Sequence, residues 1–82
     1  MISALRKRSM ILHGRKTSVS LEDEFWGAFR RIAQEDRMTC SELAERVDAA
    51  RKDHNLSSAI RLFVLERFRT RLDAVENVQQ AA

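Results

Sequence analysis

The chain has 82 residues, 44% of them hydrophobic and 33% charged, with a formal net charge of +3. That length supports one domain, and the composition excludes a disordered chain. Its longest run of aliphatic and aromatic residues, Leu62-Phe63-Val64-Leu65, is far below the roughly 20 apolar residues a membrane span needs. A core this small is marginal unless a disulfide, a metal or a partner subunit adds to it. Cys40 is the only cysteine, and His13 and His54 have no ligand-spaced neighbours, so no disulfide, metal or cofactor is expected. A homodimer is the default expectation that remains. The lone thiol, and the lack of a secretion-type apolar stretch behind Arg6, Lys7 and Arg8, point to a reducing cytoplasm.

Charge is unevenly placed. Met1 to Leu21 holds five basic residues (Arg6, Lys7, Arg8, Arg15, Lys16) and no acid, while the rest of the chain holds ten basic and twelve acidic residues. A basic segment on a slightly acidic body suits either a solvated tail or a polyanion partner.

In chain order, residues 1–8 read as a flexible basic arm, residues 9–73 as the folded domain and residues 74–82 as a disordered tail. Ser9 to His13 is apolar without clean alternation, and Gly14 interrupts it. Lys16-Thr17-Ser18-Val19-Ser20-Leu21 alternates as a half-buried strand does. Residues 9–13 either fold back on it as a short hairpin or extend it. Leu21, Phe25, Phe29, Ile32 and Ala33 then fall on one face of a helix, with Glu22, Asp23 and Glu24 at its positive end. That helix ends near Asp36, with Arg37 where a glycine makes the easier left-handed cap.

Thr39-Cys40-Ser41-Glu42 is a capping box opening a second helix, with Leu43, Ala44, Val47 and Ala50 as its apolar stripe. The second helix should stop within Arg51-Lys52-Asp53-His54. Asn55 caps a third, whose apolar set runs from Leu56 through Ala59, Ile60, Leu62, Phe63, Val64, Leu65 and Phe68 to Leu72. So wide an apolar surface predicts burial on two sides. Arg61, Arg67, Arg69 and Arg71 read as a solvated face with local partners such as Glu66. A single strand cannot satisfy its own backbone groups, and the simplest mate is the same strand of a second copy. The fold class expected is mainly α: a strand, or a short hairpin, followed by three helices.

Arg15 to Glu22, Phe25-Trp26, Ile32-Ala33 and the turn Met38 to Leu43 together resemble the ribbon-helix-helix fold of the Arc and methionine repressors. Asp48-Ala49-Ala50-Arg51, Asn55 to Arg61 and Phe63-Val64-Leu65 are similar to a bacterial subfamily with an added third helix. The resemblance implies an intertwined dimer whose antiparallel ribbon, one strand from each chain, enters the DNA major groove. It implies base reading by Lys16, Ser18 and Ser20, the residues that alternation turns away from the helices. It also implies a phosphate clamp at the start of the second helix, from Thr39, Cys40 and Ser41. Arg6, Lys7, Arg8 and Arg15 would add salt-sensitive affinity for phosphates. Trp26 reads as core or interface, His13 as a turn residue and Cys40 as an inert thiol. No nucleophile stands beside a base, so no enzyme is expected. The rival reading is a protein-interaction module or antitoxin whose third helix docks a partner protein.

Overall fold

The computed structural model describes residues 3–52 and 55–81, those from 77 on by backbone alone. Two strands, β1 (Leu5–Leu12) and β2 (Arg15–Glu22), precede three helices, α1 (Asp23–Glu35), α2 (Cys40–Ala50) and α3 (Leu56–Ala81). The strands form an antiparallel hairpin in which Leu12 faces Arg15, Met10 faces Thr17, Arg8 faces Val19 and Arg6 faces Leu21. Only His13 and Gly14 join them, with φ of 52° and 77°. Two left-handed residues in a two-residue loop are what a type I′ turn requires, and that turn matches the twist of the strands. The hairpin is therefore the observed alternative for residues 9–13. Because the mate of β2 comes from the same chain, the inference that it must be borrowed from a second copy does not hold.

The hairpin lays one face on the helices. Met10, Leu12, Val19 and Leu21 are buried there with Phe29, Ile32 and Ala33 of α1, Leu43, Ala44 and Val47 of α2, and Ala59, Ile60 and Val64 of α3. Three helix boundaries have a local cause. At the end of α1 the amide of Met38 donates to the Ala33 carbonyl (2.8 Å) and that of Arg37 to Gln34 (3.1 Å), with Arg37 left-handed at φ 56°. This is a Schellman closure. At the start of α2 the Glu42 amide donates to Thr39 Oγ1 (3.0 Å) and the Thr39 amide to Glu42 Oε1 (2.9 Å). Asn55 caps α3 by accepting from the Ser58 amide (2.8 Å).

Two segments differ from expectation. Leu5 to Arg8 belongs to β1 rather than to a flexible arm, and ahead of it the Ser3 amide donates to the Glu24 carboxylate (3.0 Å). Residues 74–81 continue α3 rather than forming a disordered tail. No glycine or proline interrupts the helix there. Residues 1–2 of the expected arm, Asp53 and His54 in the expected end of the second helix, and Ala82 lie outside the described residues.

Candidate nucleic-acid interface

Residues directly opposite in an antiparallel pair project from the same face, so register fixes the outer surface of the hairpin. It consists of the pairs Lys7–Ser20, Ser9–Ser18 and Ile11–Lys16, with Leu5 and Glu22 at the open end. Lys16, Ser18 and Ser20 are exposed, while Thr17 is half-buried and Val19 and Leu21 are buried, as alternation predicts. Lys7, Ser9 and Ile11 are exposed alongside them. The surface thus has a serine centre with a lysine toward each end on opposite strands. Placing Lys7 in an arm and leaving Ser9 and Ile11 unassigned missed half of this face. The signal that could have found it is the two-residue spacing of His13-Gly14 between extended segments.

The outer edge of β2 is partly closed by α3. The Ser20 amide donates to Ser57 Oγ (3.0 Å), and Arg61 donates to the Ser20 carbonyl (3.1 Å) and to Glu22 Oε1 (3.0 Å). The Glu22 carboxyl is held below its ordinary value of 4.5, by its backbone hydrogen bond first and by Arg61 after it. At the other end, the His13 amide donates to Glu45 Oε2 (2.8 Å) and His13 Nε2 lies 3.3 Å from Asp48 Oδ2. The hairpin is pinned to α2 at its tip and to α3 at its base.

The basic residues expected to act together do not lie together. Lys7 and Lys16 point outward, but Arg6, Arg8 and Arg15 fall on the inner register. Arg8 pairs with Asp23 and sits 5.6 Å from the centre of the Trp26 ring. Arg6 Nε is 3.8 Å from the same carboxylate. Arg15 is exposed beside the turn. Trp26 itself is half-buried and stacks on Phe29, with ring centres 6.3 Å apart.

The first amides of α2 have no intrahelical acceptor, as at any helix start. The capping box occupies those of Thr39 and Glu42, which leaves the backbone of Cys40 and Ser41 as the anion-facing part. Hydrogen bonds from the Thr39 backbone and then its side chain hold the Glu42 carboxyl below its ordinary 4.5. An approaching phosphate therefore meets a carboxylate as well as a helix dipole. The Cys40 side chain packs against the core.

Of the α3 arginines expected to have local partners, only Arg69 has a local carboxylate, 3.4 Å from Glu66. Arg61 reaches Glu22, Arg67 reaches Asp36 (2.8 Å) and Arg71 pairs with Glu35. Sequence separation hid these ties, which span more than thirty residues each. Among the described residues no group of three or more His, Cys, Asp or Glu side chains is placed to hold a metal ion. Among the described residues no helix is long and apolar enough to cross a membrane.

A family model described as a ribbon-helix-helix domain matches residues 5–68, from the start of the hairpin to the middle of α3. No curated protein and no solved structure matches the chain significantly.

Proposed function

The chain belongs to the ribbon-helix-helix domain family, and from that membership we propose that it binds double-stranded DNA as a homodimer and regulates transcription in the cytoplasm. The observation that supports this most is the outer face of the hairpin. Two strands about 4.8 Å apart make a ribbon that a major groove about 12 Å wide admits. In this reading Lys16 donates to guanine O6 and N7, while Ser18 and Ser20 accept or donate with less discrimination. Lys7, Arg15 and the α2 start at Cys40 and Ser41 position the protein on phosphates, the Thr39 amide being held by Glu42. Arg6 and Arg8, drawn to Asp23, serve instead to hold the hairpin against α1.

Electrophoretic mobility shift on genomic duplex fragments tests the reading. Binding should fall steeply with salt, and Lys16→Ala should weaken it with the fold unchanged. Full binding by Lys16→Ala would remove the ribbon from the mechanism. One observation favours a second reading, an interaction module such as an antitoxin: an apolar stripe on α3 stands uncovered. In that case the purified chain ignores duplex DNA and binds one fixed protein.

A further inference from the structure

One side chain on the outer face of the hairpin is unlike its neighbours. Lys7, Ser9 and Ile11 of β1 lie opposite Ser20, Ser18 and Lys16 of β2, and among these Ile11 alone is apolar, 54% exposed. The residues before and after it, Met10 and Leu12, turn to the other face and are buried in the core. A lone apolar residue at a surface is ordinary. Its place beside Lys16 gives this one a use. The amide and carbonyl of Ser20 both make hydrogen bonds to α3, so Lys7–Ser20 is a pair without mutual hydrogen bonds. Ile11–Lys16, four residues along, is a pair of the same kind. Side chains stand closest in such pairs, with Cβ atoms about 4.5–5.5 Å apart. Successive bases of a duplex strand are about 3.4 Å apart along the axis, so the two side chains meet one base-pair step. Leu5 is also exposed, but it stands opposite Glu22, whose carboxylate repels a polyanion.

We propose that Ile11 reads the C5-methyl group of a thymine in the base pair next to the guanine read by Lys16. The proposal rests on the DNA-binding reading and adds an apolar component to its selectivity. The methyl group is what marks thymine in the major groove, and apolar side chains are what recognise it. A serine hydroxyl or a lysine ammonium gains nothing there, whereas an aliphatic side chain and a methyl remove each other from water. Isoleucine is also stiff at χ1 and loses less rotamer freedom on contact than a lysine does. With two serines at the centre of the face discriminating weakly, one polar and one apolar reader side by side select a two-base-pair step. Burial of one methyl-sized group is worth about fourfold in affinity, equal to about 0.8 kcal/mol.

Uracil differs from thymine by that methyl alone, which gives the test. The duplex best retained in the mobility shift is resynthesised with uracil at each thymine in turn. Wild-type affinity should fall about fourfold at one thymine in each half-site. That thymine should adjoin the guanine at which 7-deazaguanine, which lacks N7, cancels the difference between wild type and Lys16→Ala. Ile11→Ala should bind the thymine and uracil duplexes equally. Lys16→Ala should bind both more weakly and keep the ratio between them. The ratio isolates the contact, because a merely structural role for Ile11 weakens both duplexes alike and leaves the ratio standing. The uracil scan uses the wild-type protein, so poor folding of Ile11→Ala does not blunt it. Indifference to every uracil overturns the proposal, as does a ratio that survives in Ile11→Ala or a sensitive thymine remote from the Lys16 guanine. Failure to bind any duplex overturns the functional reading and the proposal together; binding without methyl dependence overturns the proposal alone.

Discussion

Two positive-φ residues place opposite demands on their side chains. Arg37 closes α1 at φ 56° with both Schellman hydrogen bonds made, although it carries a Cβ. A non-glycine residue in this region costs about 1–2 kcal/mol, and glycine returns part of that gain through the greater freedom of the unfolded chain. Arg37→Gly is therefore expected to stabilise the protein by about 0.5–1 kcal/mol, seen as a higher urea midpoint with unchanged slope. Gly14 is the reverse case at φ 77°, where an added Cβ meets nothing within 4 Å. The cost of Gly14→Ala is then backbone strain alone, about 1–2 kcal/mol in the same measurement. Equal effects of the same sign at the two sites would mean that φ does not govern either. The end of α1 near Asp36 was legible because Asp36-Arg37 follows the last apolar position, whereas its left-handed exit had no signal with an arginine in the glycine place. The left-handed His13 was not, since histidine is an uncommon choice for a type I′ turn.

Helix starts were the most legible elements, because Thr39 with Glu42 and Asn55 with Ser58 declare themselves at fixed short spacing. The strand β1 was obscured for a physical reason. Its inner register begins Arg6, Arg8 before reaching Met10 and Leu12, and Arg8 covers an aromatic ring and a carboxylate rather than the aliphatic core. Alternation of polarity fails where a guanidinium takes an inner position. On α3 the wide apolar face was legible, and one side of it is indeed buried; the long-range partners of Arg61, Arg67 and Arg71 had no local signature. Those ties have a pH consequence. Arg67 grips Asp36 through both oxygens, at 3.2 and 2.8 Å. Its hydrogen bonds first, and its charge next, hold the Asp36 carboxyl below the ordinary 3.8. A carboxylate depressed in the folded state contributes stability that is complete above its unfolded value and lost as pH falls through the folded one. Stability should thus decline as pH drops below about 4, where Glu22, Glu24, Glu42 and Asp48 add to the same limb. Asp36→Asn should shallow that decline when urea midpoints are followed from neutral pH to about pH 3. A curve parallel to wild type would show that the Arg67 tie stores no stability.

At the scale of the whole molecule, the long axis of 49 Å reflects α3 projecting from a body whose other extents are 28 and 26 Å. The hairpin presents its outer face on that body, pinned at tip and base by α2 and α3. Net charge is a poor guide to how such a molecule meets a polyanion, since seven of its twelve arginines have intramolecular carboxylate partners. What counts is the set of cations free to displace counterions from phosphates. In the proposed complex Lys7 and Arg15 of each protomer do so, four cations in a dimer, and each neutralised phosphate contributes about −0.9 to the slope of log K against log salt. A slope on the order of −4 is expected, and Lys7→Ala should reduce it by about two, whereas Lys16→Ala should lower affinity with the slope unchanged. Arg8→Ala should leave the slope unchanged and lower the thermal midpoint instead, because its guanidinium is held over Trp26 by Asp23. If Arg8→Ala lowers the slope as much as Lys7→Ala does, the Asp23 pair opens on DNA and the inner end of the hairpin, rather than its serine-centred outer face, carries the phosphate contacts.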